Sequence, residues 1–281
     1  MSRSFPGRVG LIGDPVDHSL SPAFQQAAFD AMDIPTRYEL WPTGSDEIDR
    51  RIDQLRSGEI YAANVTVPHK ETFYRRMDDC SEIAVRAGAV NTILARDGEL
   101  YGDNTDVHGF LVPLQERDFN FDDSTCLILG AGGAARGVIV ALLSAGINRV
   151  IIANRTLPRA EALANDIGDR RISVASLDRI DDLLPDVRLF VNATALGWND
   201  ESPVSSHSFA KLPGDAIAYD LTYRQTPFLQ VADNAGLTTI DGLPMLVHQG
   251  ARSFEIWTGL DAPVDVMMAA AIAERERREA S

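Results

Sequence analysis

The run Gly130-Ala131-Gly132-Gly133-Ala134-Ala135 satisfies GxGxxA, a spacing suited to holding a pyrophosphate. The first glycine permits a tight turn, Gly132 keeps a Cβ out of the path of a phosphate, and Ala135 lets a helix pack close to its strand. Free N–H groups at the helix start, with the helix dipole, then favour an anion. The plainer alternative is a glycine-rich turn with no ligand, and a strand before the run and a helix after it favour the binding reading. An acidic residue about 20 positions further on would accept hydrogen bonds from the adenosine ribose of NAD. The chain instead reads Asn154-Arg155-Thr156, with Arg159 on the same rim. Arginine cannot accept those bonds but pairs with a 2′-phosphate, so NADP is favoured over NAD.

Three polar clusters occupy loops after strand-like runs: His18-Ser19-Leu20-Ser21-Pro22, Asn64-Val65-Thr66-Val67-Pro68-His69-Lys70 and Ala89-Val90-Asn91-Thr92. Ligands of α/β sheets collect at strand ends, and uncharged hydroxyls and amides suit a polyol. Each cluster also has a bland reading. Ser21 serves as a helix cap, Asn64 and Asn91 as turn residues, and Lys70 as a solvated lysine at a helix start.

The elements that must position these residues alternate between apolar strand-like runs and amphipathic helices, the pattern of βα units in an α/β fold with a parallel sheet. Strands are expected at 8–12, 37–41, 61–67 and 89–95, with Ser21 as N-cap and Pro22 in the first turn of the helix after the first strand. A helix over 106–116 precedes a second α/β unit. There 125–129 is a strand, 130–133 the glycine turn, 134–145 a helix closed by Gly146, and 149–153 the next strand. Strands near 189–193 and 216–220 extend it. From about Asp241 the chain reads as helix through Arg278, free to pack back on the first unit, and the Glu274/Arg278 spacing reads as a solvated helix end.

Composition narrows the function classes. Among 281 residues, 41 acidic against 26 basic side chains give a formal net charge of −15, which repels a nucleic-acid backbone. The longest apolar runs fall well short of the roughly 20 residues that cross a bilayer, so no membrane partner is expected. Two cysteines, Cys80 and Cys126, make no disulfide framework, which fits a reducing cytoplasm. The five histidines show no metal-ligand spacing, and no metal is expected.

Taken together and in order, the blocks HSLSP (18–22), NVTVPHK (64–70), GAVNT (88–92), GDNTDVHGF (102–110), GAGGAAR (130–136), NRTLPRA (154–160), NATALG (192–197), DLTY (220–223) and GLPMLVHQGA (242–251) resemble the shikimate dehydrogenase family over nearly the whole chain. The resemblance implies an N-terminal α/β substrate domain, 1–104 with 241–281, and a Rossmann-type doubly wound parallel-sheet cofactor domain, 105–240. It further implies reversible reduction of 3-dehydroshikimate with NADPH, in a cleft, as a step of aromatic amino-acid biosynthesis. By position it makes Lys70 the acid/base residue and Asp106 its partner. Ser19, Ser21, Asn64, Thr66, Asn91, Tyr223 and Gln249 then line the substrate pocket. Gly130, Ala131, Gly132, Gly133, Ala134, Asn154, Arg155, Thr156 and Arg159 hold NADP, with Leu221 and Gly242 near the nicotinamide.

A lysine suits this chemistry, because an ammonium both stabilises a developing alkoxide and donates its proton. Two residues depart from the family pattern, Pro244 in place of glycine and Trp198 in place of methionine. Serine at position 21 resembles the shikimate-preferring form, whereas threonine there accompanies quinate preference. Alternative functions are a quinate or aminoshikimate dehydrogenase on the same scaffold and a catalytically silent NADP-binding sensor. The chain leaves monomer and homodimer equally open.

Overall fold

The computed structural model describes residues 7–194, 202 and 204–280. The chain divides into two compact units, one of residues 1–109 and 246–281, the other of residues 110–245.

The first unit begins with β1 (Arg8–Gly13), α1 (Ser21–Ala31), β2 (Tyr38–Pro42), α2 (Ile48–Arg56), β3 (Ile60–Val65) and α3 (Lys70–Tyr74). It continues through β4 (Asp79–Cys80), α4 (Glu82–Ala87), β5 (Thr92–Arg96), β6 (Glu99–Asp103) and the start of α5 (Asp106–Gln115). The sheet runs β2-β1-β3-β5-β6-β4. It is mixed rather than wholly parallel: β1, β2 and β3 are parallel, but β5 lies antiparallel to both β3 and β6. Between β5 and β6 the reversal is a tight hairpin, in which Asp97 and Gly98 both take positive φ (54° and 83°) between paired Arg96 and Glu99. Two such residues make the turn whose twist matches adjoining antiparallel strands. The α1 start also differs from expectation. Leu20 is the N-cap, Ser21 is the first helical residue, and the Ser19 hydroxyl accepts from the Ser21 N–H at 3.1 Å.

The second unit holds β7 (Thr125–Leu129), α6 (Gly133–Ser144), β8 (Arg149–Ala153), α7 (Leu157–Ile167), β9 (Ile172–Ala175) and α8 (Ile180–Leu183). Then come β10 (Leu189–Asn192), α9 (Ser206–Phe209), β11 (Ile217–Asp220), α10 (Pro227–Asn234) and β12 (Thr238–Ile240). Every strand pair here is parallel, in the order β12-β11-β10-β7-β8-β9. The sequence turns back at β7, with β8 on one side and β10 on the other, the switch point of a doubly wound fold. Strand β7 reads TCLIL because it is covered on both faces, and four of its five residues are buried. Below it Phe190, Phe209 and Phe228 pack with ring centroids 5.1–5.6 Å apart. Each such buried ring contributes about 1.5–3 kcal/mol.

Helix α11 (Gly242–Thr258) leads out of the second unit, and α12 (Val264–Glu279) packs along α1 in the first. The last helices therefore return to the N-terminal sheet, as their position in the sequence suggested.

Candidate active site

In the first unit, one ion pair stands at the ends of the strands. Lys70 opens α3, and its backbone is fixed on both sides: the Val90 N–H donates to its carbonyl at 3.1 Å, and the neighbouring His69 ring donates from Nε2 to the Thr43 carbonyl at 2.6 Å. Asp106 opens α5. The Lys70 Nζ lies 2.6 Å from Asp106 Oδ2, with both side chains only partly exposed, 29% and 21%. This pair is neither dissolved in solvent nor sealed from a substrate.

Behind the pair lies a buried polar network. The Asn91 amide donates to Asp106 Oδ1 at 2.9 Å, while its own oxygen accepts from the Thr105 backbone N–H at 2.8 Å. One side chain thus fixes both the carboxylate and the start of its helix, which leaves Asp106 Oδ2 for the lysine. Asn64 Nδ2 faces Ser253 Oγ at 2.9 Å, the Asn91 carbonyl at 3.1 Å and Thr92 Oγ1 at 3.2 Å, and Asn64 Oδ1 accepts from the Tyr38 hydroxyl at 2.7 Å. Ser253, Thr92 and Thr105 join one another through hydroxyl contacts of 2.7–3.2 Å. Gln249 Oε1 reaches Asn91 Nδ2 at 3.2 Å. Satisfied networks of this kind fix one geometry, because each broken bond leaves a buried group unpaired.

The structure thus brings Lys70, Asp106, Asn64, Asn91 and Gln249 into one connected set. Thr66 stands after β3 with its N–H bonded to the Ile12 carbonyl, and Ser19 and Ser21 bracket the start of α1. A Ser21 hydrogen bond to the Tyr38 phenol works against the burial that pushes that phenol above its ordinary range. Thr92 and Thr105 lay inside blocks the sequence had marked but carried no role there, and Tyr38 and Ser253 did not stand out. Arg278 also proves more than a solvated end of α12: besides Glu274 at 2.6 Å, it donates to the His18 carbonyl at 2.7 Å and the Ser19 carbonyl at 3.0 Å. It holds the serine loop from the far end of the chain.

In the second unit the glycine turn joins β7 to α6. Gly130 has φ +106°, and a Cβ there would sit 3.1 Å from the Ala193 carbonyl, so glycine is required for the chain's own sake. Gly132 and Gly133 differ. A Cβ on either meets nothing within 4 Å, and both are exposed at the N-terminus of α6 together with Ala134. Open space beside these two glycines at a helix N-terminus fits a dinucleotide pyrophosphate. After β8, Asn154 donates to the Thr156 carbonyl at 2.8 Å and shapes the loop. Arg155 and Arg159 are exposed, and among the described residues neither guanidinium has a hydrogen-bond or ion-pair partner. Two uncommitted cations at the end of the second strand fit a 2′-phosphate.

Leu221 and Gly242 meet at the end of β11. A Cβ on Gly242 would lie 2.1 Å from the Leu221 carbonyl oxygen, and the Gly242 N–H donates to the Thr222 carbonyl at 3.0 Å. Tyr223 comes next along the chain, half-buried. Pro244 sits in the first turn of α11, where its missing N–H has no helical partner to lose, and the Leu243 N–H is taken by Asp241 at 2.9 Å. Trp198 and the end of the NATALG block lie outside the described residues. Among the described residues no group of three or more His, Cys, Asp or Glu is placed to hold a metal, and no helix is long and apolar enough to cross a membrane.

These features define a class, the dinucleotide-dependent oxidoreductases with a lysine–carboxylate pair. Family models match along the chain: the shikimate dehydrogenase substrate binding domain at residues 11–93, shikimate / quinate 5-dehydrogenase at 113–198 and the shikimate 5′-dehydrogenase C-terminal domain at 242–272. The chain is 40% identical to a shikimate dehydrogenase (NADP(+)) of Symbiobacterium thermophilum, over 96% of each chain. It superposes on shikimate 5-dehydrogenase of Thermus thermophilus in complex with NADP(H) and shikimate, with TM-score 0.84, 38% identity and coverage of 95% of this chain and 98% of that one. Quinate dehydrogenase of Corynebacterium glutamicum in complex with NAD superposes with TM-score 0.87 but 29% identity, covering 95% and 99%. The chain belongs to the shikimate dehydrogenase family.

Proposed function

We propose that the protein catalyses the reversible NADPH-dependent reduction of 3-dehydroshikimate to shikimate in the cytoplasm, within aromatic amino-acid biosynthesis. The observation that carries this reading is the Lys70–Asp106 pair at 2.6 Å, locked from behind by Asn91. NADPH supplies the hydride when bound. As the ring carbonyl becomes a single C–O bond, its oxygen takes a proton from the Lys70 ammonium, and in the reverse direction the Lys70 amine receives the hydroxyl proton. Asp106 orients the ammonium by a charge-assisted hydrogen bond and does not itself exchange the proton. Ser19, Ser21, Asn64, Thr66, Asn91, Gln249 and Tyr223 supply hydroxyls and amides for a ring acid bearing several hydroxyls. Gly130 to Ala134 take the pyrophosphate, Asn154 to Thr156 with Arg159 take the adenosine 2′-phosphate, and Leu221 with Gly242 take the nicotinamide end. The free thiols of Cys80 and Cys126 are in keeping with a reducing compartment.

The test is NADPH formation followed by absorbance, with shikimate, quinate and aminoshikimate each offered against NADP and NAD. Turnover is expected with shikimate and NADP. Preference for quinate overturns the role given to Ser21, preference for NAD overturns that of Arg155, and cofactor binding without turnover on any ring acid makes the chain a sensor.

A further inference from the structure

Strands β10 and β11 end side by side, and one buried side chain ties together the loops beyond them. Asp220, the last residue of β11, has no solvent exposure. Its Oδ2 accepts from Asn192 Nδ2 at 2.9 Å and from the Thr226 hydroxyl at 2.8 Å, and its Oδ1 from the Thr222 backbone N–H at 2.9 Å. Asn192, the last residue of β10 and equally buried, uses its own oxygen to accept from the Thr194 N–H at 3.1 Å and the Thr194 hydroxyl at 2.7 Å. The segment so held lies against the turn after β7, where a Cβ on Gly130 would sit 3.1 Å from the Ala193 carbonyl oxygen and 3.3 Å from the Thr194 methyl. At its other end the Gly242 N–H holds the Thr222 carbonyl.

This arrangement exceeds what the fold requires. Thr226 already caps α10 by accepting from the Leu229 N–H at 3.3 Å, and that task needs no carboxylate beneath it. A carboxyl group buried on neutral donors costs more than a packed apolar pair, so a function beyond stability is implied. The strand order points to which one. A dinucleotide crosses a doubly wound sheet at its switch point, here the edge of β7. With Arg155 and Arg159 placed after β8, the adenosine half lies on that side, and the other half faces the ends of β10 and β11.

We propose that Asp220, through Asn192, Thr222 and Thr226, is a positioning residue that sets the Leu221–Tyr223 segment for the nicotinamide half of NADP and leaves the adenosine half untouched. The inference rests on the proposed NADP binding. It differs from a purely structural role in acting on one half of the ligand.

Two ligands separate the cases: NADP, and adenosine 2′,5′-bisphosphate, which keeps the adenosine and its 2′-phosphate but lacks the nicotinamide. Their affinities are measured by titration calorimetry on the full chain and on Asp220→Asn, which puts an amide donor where only acceptors fit. NADP affinity is expected to fall about ten-fold or more while that for the bisphosphate stays within about two-fold. Unchanged NADP affinity, or an equal loss for both ligands, overturns the proposal. Failure of the unaltered protein to bind either ligand removes the cofactor reading itself, a separate result. Should Asp220→Asn not fold, Thr226→Ala must show the same selective loss and Thr226→Ser must restore NADP binding; a Thr226→Ala variant that treats both ligands alike is equally fatal.

Discussion

The two units prepare for their ligands in opposite ways. In the first, the residues proposed for the substrate are already bonded to one another: Asn64 and Asn91 each make several side-chain hydrogen bonds, and Lys70 is held against Asp106. In the second, the residues proposed for the cofactor are conspicuous for what they leave free, with open space over Gly132 and Gly133 and unpartnered Arg155 and Arg159 among the described residues. Proton transfer demands a fixed donor, so its machinery is assembled in advance. Phosphate recognition asks only for exposed N–H groups and cations, which the anion itself can gather. The contrast predicts different signatures for damage on each side.

The largest effect is expected from Lys70→Ala. Turnover should fall by about a hundred- to ten-thousand-fold with thermal stability and NADP affinity kept, since the lysine is partly exposed and belongs to the other unit. Turnover within a few-fold of the unaltered protein would end the acid/base role. Next comes Gly132→Val, whose Cβ meets nothing within 4 Å; melting temperature should hold while NADP affinity drops on the order of a hundred-fold by titration. Arg155→Ala should lower NADP affinity by about ten- to a hundred-fold and leave NAD alone, the loss of one charge-assisted hydrogen bond of about 1.5–3 kcal/mol. Equal losses for the two dinucleotides would move the 2′-phosphate elsewhere.

Smaller effects belong to the serine loop. Arg278→Ala frees the His18 and Ser19 carbonyls from α12, and the expected outcome is a rise of about three-fold in the KM for shikimate with little change in kcat. The smallest effect is in acid. Hydrogen bonds from Arg277 and Arg278 hold the Glu274 carboxyl down to about 2 from an ordinary 4.5. A depressed carboxyl contributes its full stability above the ordinary value and loses it as pH falls from there toward about 2. Glu274→Gln should therefore lower the melting temperature slightly at neutral pH and flatten its fall in that acid window, the loss staying small because Arg277 is largely exposed and screened by solvent.

How far sequence carried differs from strand to strand for a physical reason. Strands β7 and β8 coincide with the expected 125–129 and 149–153, because a buried parallel strand is a plain apolar run between a loop and a glycine turn. In the first unit β4 and β6 went unseen, as did β9 and β12 at the two edges of the second sheet. Two residues make up β4, and β6 alternates charged, apolar and glycine positions. The Asp97-Gly98 pair was nonetheless a readable hairpin signal, and it would have given the antiparallel part of the sheet. Lys70 and Asn91 lay in polar clusters the sequence showed and, with Asp106, took their roles from the resemblance, whereas Ser253 and Thr105 act through contacts between segments far apart in the chain. A hydroxyl on an apolar helix such as α11 carries no local mark of what it will touch. Asp220 and Asn192 lay inside recognised blocks, yet their joint task emerges only when β10 and β11 are seen to be neighbours.

The split of the first unit around the second also bears on how the protein is made. The second unit is one continuous stretch, 110–245, and every partner it needs has been synthesised once that stretch is complete. The first unit must wait: α1 packs on α12, and the serine loop is held by Arg278, some 260 positions later. On a ribosome adding residues in order, the Rossmann-type unit can reach its native form while its neighbour still exposes an apolar helix face, which makes that waiting interval the time of greatest exposure to aggregation.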